Sequence, residues 1–116
     1  MTATVQPFPP QPIEIDVDEL ARRIEAGEEF VLLDVREPQE LAVCSIDGHT
    51  HIPMQQIPSR LSELPADTPL VVLCHHGGRS MQVTMFLRQQ GYENATNLAG
   101  GIDQWAARVD PSMARY

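Results

Sequence analysis

No lysine occurs in the 116 residues, and the eight arginines face sixteen acidic residues, for a net charge of −8. Nucleic-acid binding needs cationic density against phosphate, so no nucleic-acid partner is expected. Long apolar runs are missing as well. None approaches the roughly 20 residues that cross a bilayer, so no membrane association is expected. The opening stretch MTATVQPFPPQP has neither a cationic start nor an apolar signal core, so no export signal is read and a cytoplasmic location is expected. Cysteine is scarce: Cys44 and Cys74 cannot build a disulfide framework, and in a reducing compartment each is a candidate thiol.

The length fits one domain that buries on the order of 65% of its unfolded surface. Four prolines in residues 1–12 predict a flexible, extended arm. Residues 13–110 form the expected domain, and 111–116 are a tail without pattern. Charge is uneven. Residues 14–47 carry eleven acids against three arginines, whereas 48–116 carry five of each and sum to zero. The neutral half holds Cys74 and does not repel an anionic substrate. The acidic half reads as a solvated surface.

Strand and helix patterns alternate along the chain. Ile13–Ile15 predicts a short strand, and Asp16 caps a helix with Glu19 in capping-box spacing. Val17, Leu20, Ala21 and Ile24 make that helix's buried stripe, and Gly27 stops it. Phe30 to Val35 is a buried strand, followed by a short helix after Pro38. Residues 44–58 read as irregular, with Ile52 a possible short strand, and a short helix over Ile57, Leu61 and Leu64 ends at Pro65. Leu70 to Leu73 is a further buried strand, then comes a helix over 80–90 with Val83, Phe86 and Leu87 at helical spacing. Asn94 to Leu98 is the last strand, and a helix carrying Ile102, Trp105, Ala106 and Val109 on one face follows it. This alternation predicts an α/β fold, a parallel sheet of about five strands with helices on both faces, whose sites lie beyond the carboxyl ends of the strands.

One stretch, LVVLCHHGGRS (70–80), puts a cysteine at such an end. Gly77 and Gly78 let the backbone turn sharply, so that amide N–H groups point inward as an anion-binding nest. The helix that starts near Ser80 adds its unpaired N–H groups and positive dipole end. A thiolate on Cys74 is stabilised there, and Arg79 either holds the loop or pairs with an anionic group. A buried structural cysteine is the plain alternative, but it has no need of two glycines and an arginine in the next five residues. A metal site of Cys74, His75 and His76, with His49 or His51, has no standard zinc spacing, and adjacent side chains of a tight loop seldom converge on one ion. No metal and no cofactor are therefore expected, and His49 and His51 read as loop residues.

Together LLDVREPQE (32–40), HIPM (51–54), VVLCHHGGRS (71–80) and NLAGGIDQW (97–105) resemble the rhodanese (sulfurtransferase) family. The resemblance runs from Ile13 to Val109. It implies a single rhodanese domain in which Cys74 takes a sulfane sulfur from a donor such as thiosulfate or a persulfide and passes it to a thiophilic acceptor. By the same resemblance His75, His76, Gly77, Gly78, Arg79 and Ser80 bind the substrate and cradle the persulfide. Asp34 and Arg36 support the loop, or form a salt bridge at the strand end. Gly100, Gly101 and Trp105 mark the fold. The implied partners are a small-molecule donor and acceptor, or a sulfur-accepting protein.

Two departures stand out. Many thiosulfate-using members place an arginine or lysine where this chain has His75 and His76, and a neutral imidazole attracts a dianion less well. The segment AVCSIDGHTHIP is longer than the commoner compact pattern, and its Cys44 is either a small buried residue or a relay thiol. Cysteine phosphatases and arsenate reductases also place a thiolate in an anion-binding loop, but they space cysteine and arginine as C-x5-R. Here four residues separate Cys74 from Arg79, a smaller cradle suited to one sulfur atom. A non-catalytic or sulfur-carrier rhodanese module is the other alternative.

Overall fold

A computed structural model describes residues 10–116. Residues 1–9, most of the expected N-terminal arm, lie outside the described residues. At its inner end the carbonyls of Gln11 and Pro12 accept hydrogen bonds from Arg88, and that of Pro12 also accepts one from Thr96.

The elements follow in the order β1 (Glu14–Ile15), α1 (Val17–Glu25), β2 (Val31–Asp34), α2 (Pro38–Leu41), β3 (Thr50–His51), two 3₁₀ segments (Met54–Gln56 and Pro58–Glu63), β4 (Leu70–Leu73), α3 (Gly78–Gln89), β5 (Ala95–Leu98) and α4 (Gly101–Arg108). The five strands form one parallel sheet in the order β1-β5-β4-β2-β3. Strand periodicity divides the apolar residues between its two faces. Leu33, Leu70, Val72 and Ala95 pack with Val83 and Leu87 of α3, while Leu32, Val71, Leu73 and Leu98 pack with Leu20 of α1 and Ile102 and Trp105 of α4. The sheet is thus covered on both faces, which is why its central strands read as unbroken apolar runs.

Asp16 caps α1 as its sequence suggests, its carboxylate accepting from the Glu19 N–H at 2.9 Å. The buried stripe differs from the expected one. Ile24 is 45% exposed, and Arg23 turns inward instead, its guanidinium bound to Glu19 and Gln11. The third strand is Thr50–His51, with Ile52 just beyond it, hydrogen-bonded through its N–H to the Asp34 carbonyl. Helix α3 begins at Gly78, two residues before the expected start.

Two glycines at the carboxyl end of the sheet are required by geometry. Gly77, with φ of 107°, is the N-cap of α3, and a Cβ there would press on the backbone of Leu98 and Gly100. Gly101, with φ of 57°, opens α4 directly against the carbonyls of Cys74 and His75, and a Cβ would fall within 2.5 Å of the His75 oxygen and closer still to that of Cys74. Gly78, in contrast, is helical and open, so it gives room rather than a special conformation.

Gly101→Ala should therefore combine a left-handed backbone with a backbone clash, and lose about 2–4 kcal/mol of stability. Gly27→Ala has a similar φ of 70° but no atom within 4 Å of the added Cβ, and should lose only about 1–2 kcal/mol. Urea denaturation of both variants measures the difference; equal losses would show that the close approach to Cys74 is not a constraint.

Candidate active site

The cysteine at the end of β4 sits between two helix N-termini. On one side the first N–H groups of α4 are capped by the loop: Ile102 donates to the Cys74 carbonyl and Asp103 to that of His75, both at 3.0 Å. On the other side the sulfur itself takes the place of a capping oxygen for α3. Cys74 Sγ accepts from the N–H of Gly77 at 3.1 Å, from the N–H of Ser80 at 3.3 Å and from the Ser80 hydroxyl at 3.3 Å. Donors directed at one atom stabilise negative charge on it. The first turn of α3 also leaves the N–H groups of Gly78 and Arg79 without acceptors inside the helix. Cys74 is 1% exposed, so this sulfur is held in a nearly dry pocket of oriented amides.

Ser80 is fully buried and continues inward. Its hydroxyl lies within bonding distance of both Cys74 Sγ and Asn97 Oδ1, and Asn97 Nδ2 donates to Glu14 at 2.7 Å. The hydroxyl has one hydrogen for two acceptors. It can turn toward a bare sulfur, or toward Asn97 while the sulfur keeps its own proton. Asn97 is not singled out by the sequence: it lies in β5 beside Thr96, and only the fold shows that it is buried against Ser80.

Arg79 does not point at the sulfur. Its guanidinium makes a bidentate ion pair with Glu40 at 2.7 and 2.8 Å. That cation, aided by the Glu37 N–H and the Tyr116 hydroxyl and opposed by burial, holds the Glu40 carboxyl down to about 2. Asp34 and Arg36 form a fully buried pair, 2.8 Å between Oδ2 and Nη2. Arg36 also donates to the carbonyls of Glu40 and Cys44 and to the Tyr116 hydroxyl. Among the described residues, neither Asp34 nor Arg36 bonds to 75–80.

The His75 ring stacks on Tyr116 and meets His76 at a tilt of 33°, with ring centroids 3.9 Å apart in both pairs. Burial, and then the neighbouring His76, push its pKa below the ordinary imidazole value, while Asp103 and Glu40 pull the other way. His76 is exposed, with Nδ1 3.8 Å from Asp103. Of the other two histidines, His49 lies in a loop and bonds the Ile46 carbonyl, whereas His51, expected in a loop, belongs to β3 and bonds the Arg36 carbonyl. His75, His76 and Asp103 bring three ligand-type atoms within 4.8 Å of one another. The two helix N-termini beside them give a positive potential that disfavours a cation there. Cys44 is half-buried and lines a small cavity together with His75 and Tyr116, its Sγ 4.0 Å from Arg36 Nη1.

The chain matches the Rhodanese-like domain model over residues 16–108. It belongs to the rhodanese family. A sulfurtransferase of Allochromatium vinosum is 42% identical over 87% of this chain and 94% of its own length. A putative sulfurtransferase of Bacillus subtilis, YtwF, is 39% identical over 84% of this chain and 94% of its own. The crystal structure of SSP1007 from Staphylococcus saprophyticus, 36% identical, superposes with a TM-score of 0.78 over 84% of this chain and 97% of the other. These relatives support a rhodanese-type sulfurtransferase. No helix among the described residues is long and apolar enough to cross a membrane.

The Glu40–Arg79 pair has a pH signature. The folded-state pKa of Glu40 lies below its ordinary 4.5, so the pair's contribution is complete above that value and is lost as pH falls toward 2. Glu40→Gln should be less stable than the natural chain at pH 7, and the gap should close as pH is lowered from 4.5 to 2.5. Urea denaturation across that range tests the assignment, and a gap at pH 2.5 as large as that at pH 7 would count against it.

Proposed function

We propose that this rhodanese moves a sulfane sulfur through a persulfide on Cys74. The observation that carries the proposal is the convergence of the Gly77 N–H, the Ser80 N–H and the Ser80 hydroxyl on Cys74 Sγ. The two backbone donors are preorganised and cost no reorganisation when charge develops on sulfur, and the Ser80 hydroxyl has only to turn its hydrogen. The Cys74 thiolate attacks the outer sulfur of the donor, a sulfur–sulfur bond forms, and the donor's own bond to that sulfur breaks. With thiosulfate, sulfite leaves with the bonding electron pair. With a hydropersulfide, a thiolate leaves. The outer persulfide sulfur is then taken by a thiophilic acceptor, with cyanide leaving as thiocyanate, and the Cys74 thiolate returns.

In this reading His75 to Ser80 form the cradle. The unpaired N–H groups of Gly78 and Arg79 receive the outer sulfur, Ser80 follows the charge on Sγ, and His75 and His76 border the approach. Asp34 and Arg36 act at a distance, by fixing the chain from β2 to Cys44. The four-residue spacing between Cys74 and Arg79 favours sulfur over a tetrahedral oxyanion, and the engagement of Arg79 by Glu40 adds to that preference, because a phosphate cradle needs its arginine free.

Intact-mass measurement tests the assignment. The natural chain should gain one sulfur atom from a donor and lose it to cyanide. Cys74→Ser should not load at all, whereas Cys44→Ser should load like the natural chain. Loading that survives in Cys74→Ser and disappears in Cys44→Ser would transfer the role to Cys44.

The histidines predict a pH effect of definite sign. His75 titrates below the ordinary value of 6.5, so its positive charge arrives only on acidification past that point, and it then helps to bind an anion. The thiosulfate KM should change little from pH 8 to 7 and fall below about pH 6.5. Replacing both His75 and His76 with Gln should flatten the profile. A KM that rises on acidification in the natural chain would reverse the sign and remove the histidines from donor binding.

A further inference from the structure

Tyr116 belongs to a tail that has no apolar pattern, yet it touches three groups around the loop. Its ring stacks on His75 at 3.9 Å with 13° between the planes. Its hydroxyl accepts from Arg36 Nη1 at 3.0 Å and donates to Glu40 Oε2 at 2.7 Å. Burial, foremost, pushes the phenol up to about 12, so the hydroxyl keeps the proton it donates. The adjacent Arg115 fastens the same tail to Asp103 at 3.0 Å.

The contacts of Glu40 show what the phenol does. Each carboxylate oxygen has one guanidinium nitrogen of Arg79, and each has one further donor: the Glu37 N–H on Oε1 and the Tyr116 hydroxyl on Oε2. The carboxylate is thus locked in the orientation that meets Arg79 on both nitrogens. A cation so paired has little field left for a third party. The rest of the surroundings are balanced in the same way, with Arg36 on Asp34 and Arg115 on Asp103. Among the described residues each of these three arginines is thus paired with a carboxylate, and Glu14, reached from Ser80 through Asn97, adds a further negative charge, so the positive character left at the sulfur comes chiefly from the amides. Amides hold a single developing charge on sulfur well. They do little to draw a dianion toward a thiolate, where the Coulomb repulsion doubles relative to a monoanion.

Resting on the sulfur-transfer reading above, we propose that Tyr116 is a specificity-determining residue: by locking Glu40 onto Arg79 it withholds that cation from the donor, so that the site takes an alkyl hydropersulfide in preference to thiosulfate. In the favoured reaction the Cys74 thiolate attacks the terminal sulfur of R–S–S–H, the R–S bond to that sulfur breaks, and R–S⁻ leaves with the electron pair. The proton stays on the transferred sulfur, and one negative charge is present before and after. With thiosulfate three negative charges must come together first.

The test is the ratio of kcat/KM for thiosulfate to that for ethyl hydropersulfide, each with cyanide as acceptor. Loss of fold alone lowers both terms and leaves the ratio unmoved. The natural chain should favour the hydropersulfide. Tyr116→Phe keeps the stacked ring and removes the hydroxyl, and should raise the ratio about threefold. Tyr116→Ala and Glu40→Gln, which unlock or remove the carboxylate, should each raise it about tenfold. In the natural chain the thiosulfate term should rise with ionic strength, because salt screens the repulsion between dianion and thiolate, and in Glu40→Gln the freed cation should weaken or reverse that rise. A natural chain that favours thiosulfate, or a ratio unchanged in both Tyr116→Phe and Glu40→Gln while Cys74 still loads, would overturn the role of Tyr116. Failure of the natural chain to load sulfur from either donor would overturn the underlying persulfide reading instead, and this proposal with it.

Discussion

The constraint on which the site depends is the seating of one short turn between two helix N-termini. Residues 74 and 75 give their carbonyls to α4, and the Cys74 sulfur faces the amides that open α3. Each helix begins with N–H groups that its own backbone cannot satisfy. Both sets are met by the same few atoms, so neither helix can shift without disturbing the sulfur. The arrangement requires α4 to approach the turn more closely than any side chain allows, which is why Gly101 stands at its start. It also requires the left-handed Gly77 to reverse the chain into α3. Position and electrostatics of the sulfur thus come from the same contacts.

The buried Asp34–Arg36 pair holds the neighbouring wall. Both side chains are fully enclosed, and a buried pair of this kind is seldom a net source of stability over apolar residues of the same size. Its effect is on geometry. The guanidinium spans from the end of β2 to the carbonyls of Glu40 and Cys44, and so gathers α2 and the irregular segment after it against the sheet. Glu40 is carried on that short helix, and its carboxylate is thereby presented to Arg79 of α3. Removing one member of the inner pair would leave an uncompensated buried charge and release the outer pair as well.

The sequence made the sheet legible because its central strands are short apolar runs bounded by turn residues, and Cys74 was legible because it follows such a run directly. The two consecutive glycines 77 and 78 look like loop and put the expected start of α3 two residues late, whereas Gly78 is already helical and the sulfur receives the N–H groups of Gly77 and Ser80 on either side of that start. Helical spacing puts Ile24 inward, whereas the wall there is built by the long stem of Arg23, whose charged end reaches Glu19. Tyr116 and Asn97 were missed for a different reason. Their partners, Arg36, Glu40 and Ser80, lie 80, 76 and 17 residues away in the chain, and no local pattern encodes such a contact. Arg79 was recognised, but its engagement was not, because Glu40 reads as an ordinary acidic residue of a short helix.

That engagement changes how the loop's chemistry is understood. An arginine beside a nucleophilic cysteine suggests a clamp for an anionic substrate, and the conclusion follows only if the guanidinium is free. Here its two terminal nitrogens are both occupied by a carboxylate whose remaining contacts are also satisfied. What is left to stabilise charge is a set of backbone dipoles fixed by the fold. Dipoles of this kind act over a short range and on one atom, whereas a free cation acts over the whole Debye length of about 8 Å. Such an arrangement acts on charge that sits at the sulfur itself and contributes little to the field felt by an anion still in solution.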